Sequence, residues 1–387
     1  MDITLVLLEI SILIFFAELM RTSLRKFVPS IVGEIIAGMV LSPFAVGGLL
    51  DHILNLDLFS LNQYLLFLSE FSMILLIFSS GLEHGVSAIR SAGAFGFLGA
   101  TVGALFPALV GILAFKGTGF DTSLILGTAI GATSLASAGS IISELGLKGK
   151  GVDLLMSMAS SDDVVDLILL SVVLGTLAGA TSVKSIATLV IYYIVAWIVI
   201  FVVAVRVIPV IANRLNEVYI EEFSMLVIFG LTAIMTALNF SPVISAFIAG
   251  VAMAESVKRE RVRQIIDVLL AVFGSAFFVV VGLQVNLSGI TNFWLMALEL
   301  TVIAVIFKIL GVLPFAYLGL RKWRSALAVS LAMVPRGETG LVVGSIGLSY
   351  NALNQNEFGA LVFMAILTTV IGASFFKGMA HWLREES

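Results

Sequence analysis

Ser160-Ser161-Asp162-Asp163-Val164-Val165-Asp166 puts three carboxyl groups within seven residues. The stretch lies inside an apolar run from about Val152 to Gly179, long enough to cross a bilayer at about 1.5 Å rise per residue. An acid at membrane depth costs on the order of 2.5–3.5 kcal/mol on insertion scales, so a cluster of them points to function. Asp162 and Asp163 stand about 100° apart around a helix, and Asp166 shares their face at spacings of four and three. A carboxyl group held away from water can carry a proton or bind a small cation, but not both. That competition is the chemistry of ion–proton exchange. The plainer alternative is a hydrogen-bonded structural pair at a helix interface.

Other polar groups sit at similar depth. Lys308 is roughly ten residues from one end of its apolar run, about 15 Å along a helix and beyond snorkelling reach. It needs an acid partner, for which Asp162 or Asp163 is the natural choice, or it must release its proton. A purely structural salt bridge is the alternative. Arg336 and Glu338 fall in Pro335-Arg336-Gly337-Glu338-Thr339-Gly340, a stretch that should break a helix because proline lacks a backbone donor;. We expect these two to be structural there, pairing with each other or with carbonyls freed by the break. Thr133, Ser134 and Ser160 supply oxygen atoms, which suit a hard cation such as Na⁺ held at Asp163 and Asp162. Asp166 reads either as a third member of the site or as a residue toward one mouth of the pathway. Glu34, Glu70 and Glu299 are proton-path residues or local partners. His52, His84 and His381 lack metal-ligand spacing. There is no phosphate loop, nucleophile arrangement or basic nucleic-acid stripe, which argues against an enzyme, a cofactor beyond the transported ions, and a nucleic-acid partner. An intramembrane aspartyl protease would draw its acids from two helices rather than from neighbours on one.

These groups must be positioned by membrane helices. The 387 residues are 60% hydrophobic and only 12% charged, with a mean hydropathy of +1.14, against about 25% charge in soluble domains. This predicts an all-α polytopic protein forming a single unit within lipid. Cysteine is absent, so disulfides and thiolate metal sites are excluded. No basic region precedes Ile3–Met20, which reads as a retained helix, and we expect no nucleotide-binding tail after the last apolar run.

Thirteen apolar segments can be drawn: Ile3–Met20, Phe27–Leu41, Leu61–Leu82, Ala92–Phe115, Thr122–Leu145, Val152–Gly179, Ser185–Ile208, Phe223–Asn239, Pro242–Ala254, Gln264–Val285, Ile290–Leu318, Ser325–Ser349 and Phe358–Met379. The weakest boundary is the one before Pro242. With thirteen spans, 17 basic residues fall in loops on one side and two, Lys116 and Lys184, on the other; Lys308 and Arg336 complete the 21. Merging the eighth and ninth segments makes the division 8 against 11. The positive-inside rule therefore favours thirteen spans, N-terminus outside and C-terminus inside, in a cell membrane.

The segments also repeat. Gly33-Glu34-Ile35-Ile36-Ala37-Gly38 in the second matches Ala246-Phe247-Ile248-Ala249-Gly250 in the ninth. Phe78-Ser79-Ser80-Gly81-Leu82-Glu83 in the third matches Phe278 to Gln284 in the tenth. Copies an odd number of spans apart have opposite orientation, the inverted repeat of many secondary transporters. The repeat pairs the fifth segment, with Gly131-Ala132-Thr133-Ser134, with the twelfth and its proline break. Half-helix ends at such breaks offer partial charges to ions.

Asp162-Asp163, Val305-Ile306-Phe307-Lys308-Ile309-Leu310-Gly311 and Met333-Val334-Pro335-Arg336-Gly337-Glu338 together resemble the monovalent cation:proton antiporters, in the branch of NapA-type sodium/proton exchangers. The second- and third-segment motifs resemble that branch as well, and the likeness covers nearly the whole chain. It implies thirteen helices in an inverted-repeat fold with two crossed, discontinuous helices. It implies core helices at about 92–180 and 290–380, dimerisation helices at about 3–82 and 220–285, and a linker helix at about 185–208. It further implies a homodimer, ion binding at Asp163, pairing of Asp162 with Lys308, and elevator-like movement of the core. The Asp-Asp pair implies electrogenic exchange. Asp166 departs from the pattern, which has a small or apolar residue there. The expected activity is Na⁺ or Li⁺ exchange for H⁺; K⁺/H⁺ exchange is the nearest alternative, and a cation channel or ion-sensing receptor the alternative of another class.

Overall fold

The computed structural model describes residues 3–25, 27–56, 58–91, 93–177, 183–238 and 240–386. Lys26, Ala92, Gly179 and Asn239, used above for segment boundaries or the charge count, lie outside the described residues, as do the side chains of His84, Arg90, Lys184 and Arg384. The described residues form these helices: α1 (Ile3–Leu24), α2 (Ser30–Val40), α3 (Val46–Leu54), α4 (Gln63–Ser91), α5 (Gly93–Ala114), α6 (Phe120–Gly131), α7 (Leu135–Leu145), α8 (Lys150–Leu177), α9 (Val183–Arg214), α10 (Ile220–Ala237), α11 (Pro242–Ala254), α12 (Arg259–Leu283), α13 (Ile290–Leu320), α14 (Trp323–Ala332), α15 (Glu338–Ser349) and α16 (Gln355–Met379). Among the described residues, eight helices are long and apolar enough to cross a membrane by length and composition. Helix α8 is also long, at 28 residues, but carries the acids.

Two apolar segments are each split into half-helices. Helix α6 stops at Gly131, and α7 starts only at Leu135. Helix α14 stops at Ala332, and α15 starts at Glu338. The breaks satisfy one another: Ser134 N donates to Pro335 O at 2.8 Å, and Thr133 Oγ1 donates to Met333 O at 3.3 Å. Each supplies a polar partner that a lone broken helix in lipid would lack.

The repeat motifs also meet in space. A Cβ at Gly38 of α2 would lie 2.0 Å from Val279 O of α12, and one at Gly250 of α11 would lie 2.1 Å from Phe78 O of α4. Gly282 and Gly81 complete the two crossings, at 2.2 Å from Ile35 O and 2.3 Å from Phe247 O. Thus the glycine of each matched motif packs against the glycine of the other copy's partner helix, a pseudo-symmetric pair of close backbone approaches. Helices α2, α4, α11 and α12 pack mainly against one another, with α1 beside α2. Helices α5, α6, α8, α13 and α16 form a second set of neighbours. In that set Gly311 of α13 meets Gly103 of α5, and Lys308 is sealed beneath the small-residue face of α5.

Two features were not legible from hydropathy. Helix α3 has nine residues, too few to span. Asp51 on it closes the following loop by accepting from Leu58 N at 2.8 Å and Phe59 N at 3.0 Å. Helix α4 runs past the expected end at Leu82 and kinks at Gly85, whose φ of 60° is open to glycine;. Glu255 accepts from Val86 N at 2.8 Å just beyond the kink.

Candidate ion-binding site

The acids lie on one buried stretch of α8. Asp162 and Asp166 are fully buried, and Asp163 is 7% exposed. Lys308 comes from α13, also with no exposure. Its Nζ donates to both oxygens of Asp162, at 2.8 and 3.0 Å, and to Gly131 O at 2.9 Å. The last contact places the cation on the C-terminal end of the half-helix α6, where unpaired carbonyls concentrate negative partial charge. Three acceptors thus saturate the ammonium group, and Asp162 is fully engaged by it.

Asp163 points another way. Its Oδ2 accepts from Ser80 Oγ of α4 at 2.9 Å. Ser80 also walls a cavity of about 500 Å³, together with Glu18, Arg21, Glu34, Ser79, Glu83, Ser140, Met156 and Glu338. The rim reaches the surface at Glu18 and Arg21, which pair at 2.7 Å and are about half exposed. Four glutamates against one arginine give the cavity a field that concentrates cations. The cavity therefore reaches Ser80, the side chain that holds Asp163, while neither Asp162 nor Asp166 lines it.

The breaks frame this centre. Arg336, buried, donates to Thr133 Oγ1 at 3.4 Å, Met333 O at 3.3 Å and Ala304 O at 3.2 Å, while its own carbonyl accepts from Thr369 of α16. It therefore serves backbone carbonyls at the break, and Glu338 is held separately, by Ser134 Oγ at 2.9 Å. Glu338 opens α15, so its carboxylate faces the positive end of a half-helix.

The sequence-derived residues thus fall into one centre, with differences in detail. Thr133 and Ser134 are buried between the breaks, each donating its hydroxyl proton; Ser134 Oγ keeps its lone pairs for a cation, whereas Thr133 Oγ1 already accepts from Arg336. Ser160 is buried but donates back to Met156 O at 2.8 Å within α8. Neither carboxylate oxygen of Asp166 accepts a hydrogen bond among the described residues. Glu34 is on the cavity wall, 3.8 Å from Arg21 Nε, whereas Glu70 and Glu299 are on the exposed surface. Among the described residues no group of three or more His, Asp or Glu side chains is arranged to hold a metal ion. Ser80 was missed as a site residue. Its signal was the Ser79-Ser80 pair that follows the apolar run Met73 to Phe78, next to the repeat glycine.

Comparisons with known proteins identify the family. The chain is 27% identical over 369 residues to a Na⁺/H⁺ antiporter of Enterococcus hirae, covering 91% of this chain and 92% of the relative. It is 27% identical to the Na⁺/H⁺-K⁺ antiporter GerN of Bacillus cereus, covering 92% and 91%. It is 25% identical to the K⁺/H⁺ antiporter subunit KhtU of Bacillus subtilis, covering 81% and 79%. The fold is similar to that of the sodium proton antiporter MjNhaP1 of Methanocaldococcus jannaschii, with a TM-score of 0.75 over the whole of both chains at 15% identity. Residues 10–382 match the transmembrane sodium/hydrogen exchanger family. With nearly its whole length matched, two broken helices in contact and an acid pair between them, the chain belongs to the sodium/hydrogen exchanger family of membrane antiporters.

Proposed function

We propose that this protein exchanges Na⁺ or Li⁺ for H⁺ across a cell membrane. The observation that carries the reading is the division of labour between neighbouring acids: Lys308 occupies Asp162, while Asp163 sits behind the cavity wall with one hydroxyl donor. Asp163 alternately holds a proton and the cation. Oxygens of Thr133, Ser134 and Ser160 complete the ion's shell as Asp162 turns toward it. Lys308 then loses its acid partner and gives up a second proton, which makes the exchange electrogenic.

Thirteen spans with two crossed, discontinuous helices accommodate this cycle. The separation of helix neighbours supports a moving core at about 92–180 and 290–380 against a dimerising scaffold at about 3–82 and 220–285, with 185–208 as the link. The core travels as an elevator within a homodimer. With the N-terminus outside, the acidic cavity faces the cell interior.

The test uses proteoliposomes with a preset pH gradient. Adding Na⁺ dissipates the gradient in the native protein, and Asp163→Asn abolishes the response. Undiminished exchange by Asp163→Asn overturns the site. K⁺/H⁺ exchange is the second reading, favoured by the K⁺ in the names of GerN and KhtU. Na⁺, Li⁺ and K⁺ compared in one assay separate the two. Current without coupled proton flux would instead mark a channel, and ion binding without dissipation a receptor.

A further inference from the structure

Asp163 takes a hydrogen bond from outside its own set of helices. Ser80 is on α4, which packs with α2, α11 and α12, whereas Asp163 is on α8, which packs with α5, α6 and α13. The two side chains meet at 2.9 Å. Polar contacts nearby stay within one set. Ser72 of α4 donates to Gly274 O of α12 at 3.1 Å, Asp162 takes Lys308 of α13, and Ser134 donates to Glu338 across the two breaks.

Each partner is tied to its own set by the adjacent residue in the chain. Gly81 follows Ser80, and a Cβ there would lie 2.3 Å from Phe247 O of α11. Asp162 precedes Asp163, and its carboxylate is bonded to Lys308 at 2.8 Å. An O–H···O bond is lost beyond about 3.5 Å, so a slide of a few ångströms between the sets breaks this one. The cavity follows the same seam. Glu34, Ser79 and Phe278 wall it from one side, and Ser140, Met156 and Glu338 from the other.

The strength of the bond depends on what Asp163 holds. A hydroxyl donating to a free carboxylate makes a charge-assisted bond, about twice as strong as one to a neutral acceptor. A proton on Asp163 removes that charge, and a Na⁺ against it shares it. The seam is therefore held hardest when Asp163 is ionised and empty.

We propose that Ser80 is a positioning residue that couples movement of the core to the loading of Asp163, by holding the ionised, empty core on the cavity side until a cation or a proton arrives. The inference rests on the exchange reading and its moving core. A proton carried on Asp163 toward the cavity side leaves there, and the core then waits for Na⁺. Were the empty core to return at once, the cycle would move one proton and no Na⁺. Lys308 keeps its proton throughout such a turn, because Asp162 stays with it.

The experiment measures proton movement toward the cavity side in oriented proteoliposomes. Choline is the sole cation besides H⁺, and a permeant anion holds the voltage at zero. The rate is divided by that of Na⁺-driven exchange in the same preparation, which cancels differences in reconstitution. Loss of the bond speeds the empty step more than the loaded one, so Ser80→Ala raises this ratio on the order of fivefold to tenfold. Ser80→Cys, similar in shape and a weaker donor, raises it in part, and Ser80→Thr restores the native ratio. A native ratio in either recovered variant, Ala or Cys, overturns the proposal. So does slower exchange in Ser80→Ala with no added proton movement, which would make the hydroxyl an ion ligand instead. Added proton movement that persists when Asp163→Asn is combined with Ser80→Ala overturns it too, since it would bypass Asp163. Surviving exchange in Asp163→Asn alone defeats the exchange site itself, whereas a dead Asp163→Asn beside native ratios in the Ser80 variants defeats only this inference.

Discussion

The Asp162–Lys308 pair gives the most direct test of the core. Lys308 Nζ has three acceptors within 3.0 Å, two from Asp162 and one from Gly131, and both side chains are fully buried. Removing one member of such a pair strands a charge away from water and costs about 3–5 kcal/mol. Lys308→Gln should therefore lower the unfolding midpoint of the purified protein sharply, as should Asp162→Asn. The double variant replaces two charges with two amides that can bond each other and Gly131 O. It should recover much of the loss, giving a coupling energy near the upper part of the range of about 0.5–3 kcal/mol found for contacting residues. The assay is thermal unfolding of all four proteins in one detergent at one pH. Strictly additive losses would show that the pair is not energetically coupled. Transport provides the second reading. Lys308→Gln should still exchange Na⁺ for H⁺ through Asp163, yet lose its response to an imposed membrane voltage. Voltage-dependent exchange by that variant refutes a proton-releasing role for Lys308.

Two further perturbations probe the frame of the site. Gly38→Ala and Gly250→Ala each push a methyl group into a backbone carbonyl at 2.0 and 2.1 Å, which should cost about 1–3 kcal/mol or more through overpacking. Gly378→Ala, with open space around its Cβ, should be neutral, and equal midpoints for all three variants would remove the crossings from the account. Arg336→Lys keeps the charge but loses the planar fork that reaches Thr133, Met333 and Ala304 together;. A lower midpoint and slower exchange are expected, and native behaviour would show that the guanidinium does not hold the break.

Much of this architecture could be read from residues alone, because lipid imposes strong rules. Every apolar segment contains a helix, since a chain in hydrocarbon must satisfy its backbone internally. Pro335 and Gly337 announced one break, because proline removes a donor and a charged, glycine-rich stretch cannot continue an apolar helix. The softer break at Ala132-Thr133-Ser134 was visible mainly through its repeat partner. Helix α3 and the kink at Gly85 escaped notice, since neither changes hydropathy over a membrane-length window.

The acids themselves, and the need of Lys308 for an acid, were fixed by composition at depth. Composition did not say which acid it would take; only the resemblance to the antiporters implied Asp162. Asp162 and Asp163 are equivalent by sequence, a residue apart on one helix. Only the tertiary structure, by bringing α13 to one side of α8 and Ser80 of α4 to the other, gives Asp162 a cation and leaves Asp163 facing the cavity wall. The same holds for Arg336 and Glu338, two residues apart, which turn away from each other because Ala304 and Ser134 reach them first. Spacing along a helix sets which side chains share a face, but partners on that face come from helices distant in the chain, 146 residues away for Asp162 and Lys308 and 83 for Asp163 and Ser80. For Asp166 the sequence placed a third acid at membrane depth and left open whether it joins the site or lies toward a mouth of the pathway; the packing buried it one turn beyond the closed pair, off the cavity wall.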